Sequence, residues 1–149
     1  MDSVKVISAT PLTDMRLLII FSNGMIKLFD VKRIIPDFPE YAALRNEDIF
    51  ALVQVGPGGY GVSWTPELDA SVGELWESGV EIPLDAKDIE AFVRCNVINT
   101  TEATEILQCS RQNVDDLIRR KKLHPIKALP KGNLFMKSDI TNRVIDNRE

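Results

Sequence analysis

Residues 110–113 read Ser-Arg-Gln-Asn, and these side chains carry hydrogen-bonding groups in pairs or on short stems. An arginine fork matches the O6/N7 edge of guanine, and a Gln or Asn amide matches the N6/N7 edge of adenine. Arg111, Gln112 and Asn113 are therefore candidates for reading DNA bases. Seven cations follow: Arg119, Arg120, Lys121, Lys122, Lys127, Lys131 and Lys137. With the Ser110 hydroxyl they are candidates for phosphate contacts, which fix a protein's register on the duplex without reading its sequence. From 111 to 137 eight basic residues stand against two acidic ones, Asp115 and Asp116. The alternative for the same residues is a solvated basic surface on a module that binds protein.

Other chemistries find little support. The single histidine is His124 and the first cysteine is Cys95, so residues 1–82 hold no Ser-His or Cys-His pair. Cys95 and Cys109 form no CxxC pair and read as small core residues in a reducing compartment; no metal is expected. The glycines of Gly56-Pro57-Gly58-Gly59-Tyr60-Gly61 lack the Lys-Ser/Thr of a phosphate loop and read as a hairpin turn. The carboxylates of this half scatter over expected turns and helix surfaces. Tyr60, Trp64 and Trp76 read as core, with a small-ligand pocket near Trp64 as the alternative. No enzymatic activity and no cofactor are expected. No run of apolar residues is long enough to span a membrane, and the N-terminus has no signal-peptide pattern, so a cytoplasmic location is expected.

The elements that hold these residues divide the chain. Residues 1–82 carry six basic and twelve acidic side chains, and 83–149 carry twelve and ten. The expected domains are a β-rich unit over 1–82 and a second over 83–149. In the first, Val4–Ala9 and Leu17–Phe21 read as strands. Asn23-Gly24 between apolar runs predicts a type I′ hairpin turn returning through Met25–Phe29. Val31–Ile35 reads as a short helix or loop, Ala51–Val55 and Tyr60–Trp64 as strands, and Pro66–Trp76 as a helix ended by Gly79. In the second, Ile82-Pro83-Leu84 reads as a linker. Asp85 caps a helix to Cys95 with Asp88 as its acidic arm. Thr100 caps a helix from Thr101 to Leu107, and Ser110 caps another from Arg111 to about Arg120, with Val114, Leu117 and Ile118 inward. Two short runs around Pro130-Lys131-Gly132-Asn133 predict a β-hairpin, and Ser138 caps a last helix with Ile140, Val144 and Ile145.

Two resemblances extend this reading. Thr101–Leu107, Ser110–Val114, Leu117–Leu123 and Leu134–Ile140 occur in the order and spacing of the excisionase/MerR-type winged helix-turn-helix family, which the stretch 99–145 resembles. The resemblance implies DNA binding, with the helix from Ser110 in the major groove and the hairpin along the backbone. Asp115 and Asp116 depart from it, and the long coiled coil and effector region of full MerR regulators are missing. Phe21-Ser22-Asn23-Gly24, Phe29-Asp30-Val31, Ala51-Leu52-Val53, Gly61-Val62-Ser63-Trp64 and Glu67-Leu68-Asp69 resemble a bacterial domain family of unknown function, number 2442, over about 3–80. That family has no established activity, and its members sometimes occur in gene pairs that look like toxin–antitoxin modules. The expected fold is α+β, a small sheet-plus-helix domain followed by an α-helical winged helix-turn-helix domain. The expected function is a DNA-binding regulator, antitoxin-like, homodimeric, with a toxin-like protein partner on the N-terminal domain. The rivals are a protein-interaction adaptor that uses no DNA and a small-ligand binder.

Overall fold

Leu17, Ile19 and Phe21 are fully buried while Leu18 and Ile20 between them are half-buried, the period of a strand with one face on a core. The computed structural model describes residues 3–146, and the chain forms two compact units that divide between Ile89 and Glu90. The first contains β1 (Val6–Leu12), β2 (Arg16–Phe21), β3 (Met25–Asp30), α1 (Glu47–Phe50), β4 (Gln54–Val55), β5 (Gly61–Thr65), β6 (Leu68–Ser71), α2 (Val72–Ser78) and β7 (Val80–Asp85). Short 3-10 turns lie at Val31–Ile34, Pro39–Arg45 and Pro57–Gly59. Helix α3 (Ala86–Asn96) carries the division. The second unit holds β8 (Val97–Asn99), α4 (Thr100–Leu107), α5 (Arg111–Arg119), β9 (Lys127–Leu129), β10 (Gly132–Met136) and α6 (Lys137–Asp146).

In the first unit β1-β2-β3-β7 form one antiparallel sheet and β4-β5-β6 a second. The β2–β3 hairpin forms at Asn23-Gly24, but not through a type I′ turn. Only Gly24 has positive φ, +87°. The Gly24 N–H donates to the Phe21 carbonyl at 2.9 Å, and Asn23 Oδ1 instead accepts from the Met25 N–H at 3.1 Å. The asparagine braces the turn with its side chain, and glycine alone takes the left-handed conformation.

The helix expected from Pro66 begins six residues later. Leu68 and Ala70 are buried and Asp69 and Ser71 exposed, so this segment alternates as a strand. Ser71 then opens α2 with a capping box, its Oγ accepting from the Glu74 N–H at 3.2 Å. The expected linker at 82–84 is likewise part of β7, which pairs Ile82 with Ile26. Pro83 has no N–H for a ladder and is tolerated because β7 is an edge strand. At Ala51–Val55 only Gln54–Val55 is extended.

The second unit corrects the expected fold class. Its sheet, in order β8-β10-β9, makes it a mixed α+β unit, so the α-helical winged helix-turn-helix assignment is not retained. β8 was not foreseen because three residues between two helices show no pattern of their own. Its bonds come from β10, where Phe135 pairs with Ile98 and Leu134 with Asn99. Asn99, rather than Thr100, caps α4, accepting from the Glu102 N–H at 2.8 Å. Thr100 is the buried first residue of that helix. The last helix begins at Lys137, one residue before the expected Ser138 cap. The expectation for Ile145 concerns a side chain outside those described.

Fourteen buried residues form the first core, from Val6 to Leu75, and six form the second: Ile98, Ala103, Val114, Leu123, Phe135 and Ile140. The Asp85–Asp88 capping box of α3 forms as expected, at 2.9 and 3.0 Å. Phe92 and Val93 on that helix are exposed.

Candidate nucleic-acid interface

Helix α5 starts where its backbone donors are met. Ser110 has extended backbone, and its Oγ accepts from the Asn113 N–H at 3.1 Å. Val114 is fully buried and Leu117 and Ile118 half-buried, so the stripe 114–117–118 turns inward and 112–115–116–119 turns out. Ser110, Arg111, Gln112 and Asn113 are exposed at the N-terminal end of the helix. Gln112 and Asn113 carry no side-chain hydrogen bond among the described residues. Arg111 does: its guanidinium donates to the backbone carbonyl of Lys131.

The outward face of α5 is not uniformly basic. Ser110, Gln112, Asn113, Asp115, Asp116 and Arg119 line one shallow concavity of about 350 Å³. Asp116 accepts from Arg119, which is i+3, and from Arg120 at 3.5 Å, which is i+4. The Arg119 hydrogen bond, joined by Arg120, holds the Asp116 carboxyl below the usual aspartate range. Two of the expected phosphate contacts are thus partly engaged by a carboxylate on their own helix. Asp115 has no cationic partner among the described residues and lies beside the expected base readers.

The five lysines are differently placed. Lys121 and Lys122 leave the C-terminal end of α5, where Lys121 takes a left-handed φ of +58° and its N–H donates to the Ile118 carbonyl at 3.0 Å. Cations there also complement the helix dipole. Arg111 and Arg119 mark opposite ends of α5, about 12 Å apart along its axis. Lys127 opens β9, Lys131 occupies the loop between β9 and β10, and Lys137 is the first residue of α6. All five are exposed, and none is in an ion pair among the described residues. His124 is exposed as well.

Sequence reasoning read Thr100 as a helix cap and missed its role as a tie: its Oγ1 accepts from the Asn133 N–H at 2.8 Å and so joins α4 to β10 just past the loop that carries Lys131. A hydroxyl partnered 33 residues away leaves no local signal. In the first unit Trp64 is buried and stacks on Phe50, centroids 6.1 Å apart, with its Nε1 lacking a partner among the described residues. Trp76 is half-buried and packs perpendicular to Phe21, ring centroids 4.9 Å apart. Tyr60 is 62% exposed, against its reading as core, because it lies on the loop at Gly58–Gly61 with Lys5 over its ring. Cys95 is exposed on α3 and Cys109 half-buried, so the core reading of Cys95 is also corrected. Among the described residues no group of three His, Cys, Asp or Glu side chains could hold a metal, and no helix is long and apolar enough to cross a membrane.

Residues 6–81 match the model of a family described as a protein of unknown function, DUF2442. Among curated proteins none matches the chain. A crystal structure of a candidate DNA-binding protein, NE0471 from Nitrosomonas europaea ATCC 19718, aligns at 22% identity over 83% of this chain and 81% of that one. Its TM-score is 0.46. The excisionase/MerR resemblance read over 99–145 has no counterpart in these matches.

Proposed function

We propose that this chain, which belongs to the DUF2442 family of proteins of unknown function, binds double-stranded DNA through its second unit. One observation carries the proposal: Lys121, Lys122, Lys127, Lys131 and Lys137 are exposed and carboxylate-free among the described residues, on the unit that also exposes Gln112 and Asn113 at a capped helix end. Unpaired ammonium groups so placed can displace the counterions condensed on a phosphate backbone, and amides at that helix end can reach base edges.

The finer reading makes the chain a regulator, antitoxin-like, whose acidic first unit meets a protein partner. An acidic face speeds encounter with a basic one. A homodimer would double the few base-reading side chains of a single copy.

The test is binding of the full chain to a random-sequence duplex over a salt series. Engagement of the five lysines gives a slope of log K against log salt of about −4 to −5. No binding at low salt overturns the proposal. The adaptor reading would then stand, and the placement of Asp115 and Asp116 on the outward face of α5 is the observation that favours it.

A further inference from the structure

Arg111 occupies the first position of α5, where a base-reading arginine is expected, yet its guanidinium is turned to the protein. Its Nη2 donates to the Lys131 carbonyl, in the two-residue loop between β9 and β10. Bidentate reading of guanine needs two parallel N–H groups of the fork aimed at the base, and this bond takes one N–H of Nη2 and aims the guanidinium at the loop. Just past the loop Thr100 adds a second hold, its Oγ1 accepting from the Asn133 N–H in β10. Gly132 stands between these two anchors with φ +147°. A methyl group there would come within 3.0 Å of Arg111 Nη2 and 3.2 Å of Thr100 Oγ1. Arg111, Thr100, Lys131 and Gly132 line a single concavity of about 570 Å³.

We infer that Arg111 is a positioning residue, which fixes the Pro130–Lys131 loop so that the Lys131 ammonium meets a DNA phosphate, while base reading falls to Gln112 and Asn113. A loop already ordered in the free protein loses less conformational freedom when its side chain engages a ligand. Lys131 therefore gives its full phosphate contact only while the Arg111 anchor holds. The inference rests on the DNA-binding reading.

The experiment uses the full chain as wild type, R111A, R111K, K131A and R111A/K131A, with two duplexes: one of random sequence and one selected from a randomised pool by the wild type. R111A should weaken both duplexes by nearly the same factor as K131A. The double variant should bind no worse than either single one. The salt slope should fall by ~1 in each single variant and by ~1, rather than ~2, in the double. Without DNA, amide hydrogen exchange at Gly132 and Asn133 should speed up in R111A, return toward wild type in R111K and stay unchanged in K131A. Loss confined to the selected duplex, or additive losses in the double variant, would overturn the inference in favour of a direct DNA contact by Arg111. Unchanged exchange in R111A would overturn the anchor itself while leaving DNA binding standing. Failure of the wild type to bind either duplex would remove the DNA-binding reading and this inference together, whatever the exchange shows.

Discussion

The first unit buries fourteen side chains in one cluster, Phe21, Phe29, Phe50 and Trp64 among them, whereas the second buries six around Phe135 and Ile140. A small core gives little surplus over chain entropy, and the second unit supplements it with polar anchors: the Asn99 and Ser110 caps, the Thr100–Asn133 bond and the Arg111–Lys131 bond. The first unit has polar anchors of its own, the Ser71 and Asp85 capping boxes and the Lys32 ion pairs, but it sets them beside the larger apolar core and carries an acidic balance of charge. The second keeps its cations exposed, and the same polar anchors that hold its helix ends also hold the loop that presents Lys131. Stability and the candidate interface are thus joined in the second unit.

Removing a core aromatic tests this most severely. Phe135→Ala should cost ~3–5 kcal/mol, enough to unfold a unit with six buried residues. Both tryptophans, Trp64 and Trp76, belong to the first unit, so tryptophan fluorescence should keep its native spectrum while protection from hydrogen exchange over 97–146 is lost. Simultaneous loss of both signals would show that the units unfold as one and would dissolve the contrast.

A smaller effect separates two glycines. Gly132→Ala meets both an unfavourable φ and the crowding of Arg111 and Thr100 and should destabilise by ~1–3 kcal/mol. Gly24→Ala meets the φ penalty alone, with nothing within 4 Å of the added carbon, and should cost ~1 kcal/mol. Denaturant midpoints for the two variants give the comparison, and only Gly132→Ala should weaken DNA binding. Equal midpoints would mean that the anchors yield without cost.

Charge comes next. Asp116→Asn removes the carboxylate that engages Arg119 and Arg120 and should tighten binding to random DNA by ~2- to 5-fold, the scale of one exposed ion pair. Weaker or unchanged binding across a salt series would place this face of α5 away from the duplex.

The smallest effects lie at the two ends of the pH scale. In the first unit the hydrogen bond from Lys32 to Asp14, with Asp30 adding to it, holds the lysine pKa above its ordinary value. Its contribution is complete below the unfolded pKa and is lost as pH rises through the folded one. In the second unit the lowered Asp116 pKa works in the opposite sense. Its contribution is present above the unfolded value and is lost as pH falls through the folded one. Melting curves followed by tryptophan fluorescence should show the alkaline loss, weakened by Lys32→Met. Exchange over 111–120 should show the acid loss, weakened by Asp116→Asn. An acid loss that persists in Asp116→Asn belongs to another carboxylate.

Much of the fold could be read where the signal is local. Ser110, Asp85 and Gly79 mark element ends by their own chemistry, and Leu17–Phe21 declares a buried strand. The signal failed where two periods overlapped: Leu68, Val72, Leu75 and Trp76 fall at helical spacing, although Leu68 and Ala70 already alternate as a strand. It failed again where pairing came from afar, as for β8. The candidate interface divides the same way. The capped end of α5 and the basic run were legible residue by residue. The hairpin that carries Lys131 was legible too, but the Arg111–Lys131 contact spans twenty residues and no local pattern announces it.

The pairing of β8 with β10 also sets when this surface can exist. Everything from Thr100 to Lys131 lies inside one loop of chain whose ends are joined at Ile98 and Phe135. Closing a loop of that length costs ~3 kcal/mol in entropy before its core contacts can offset it. The β9–β10 hairpin, turning on two residues, needs no such closure and can form early. On the ribosome the first unit can fold while the rest is still being made, but residues 134–136 must emerge before β8 has its partner. The candidate interface is therefore among the last parts of the described chain to mature, and a chain released before that point would carry a folded first unit and no assembled interface.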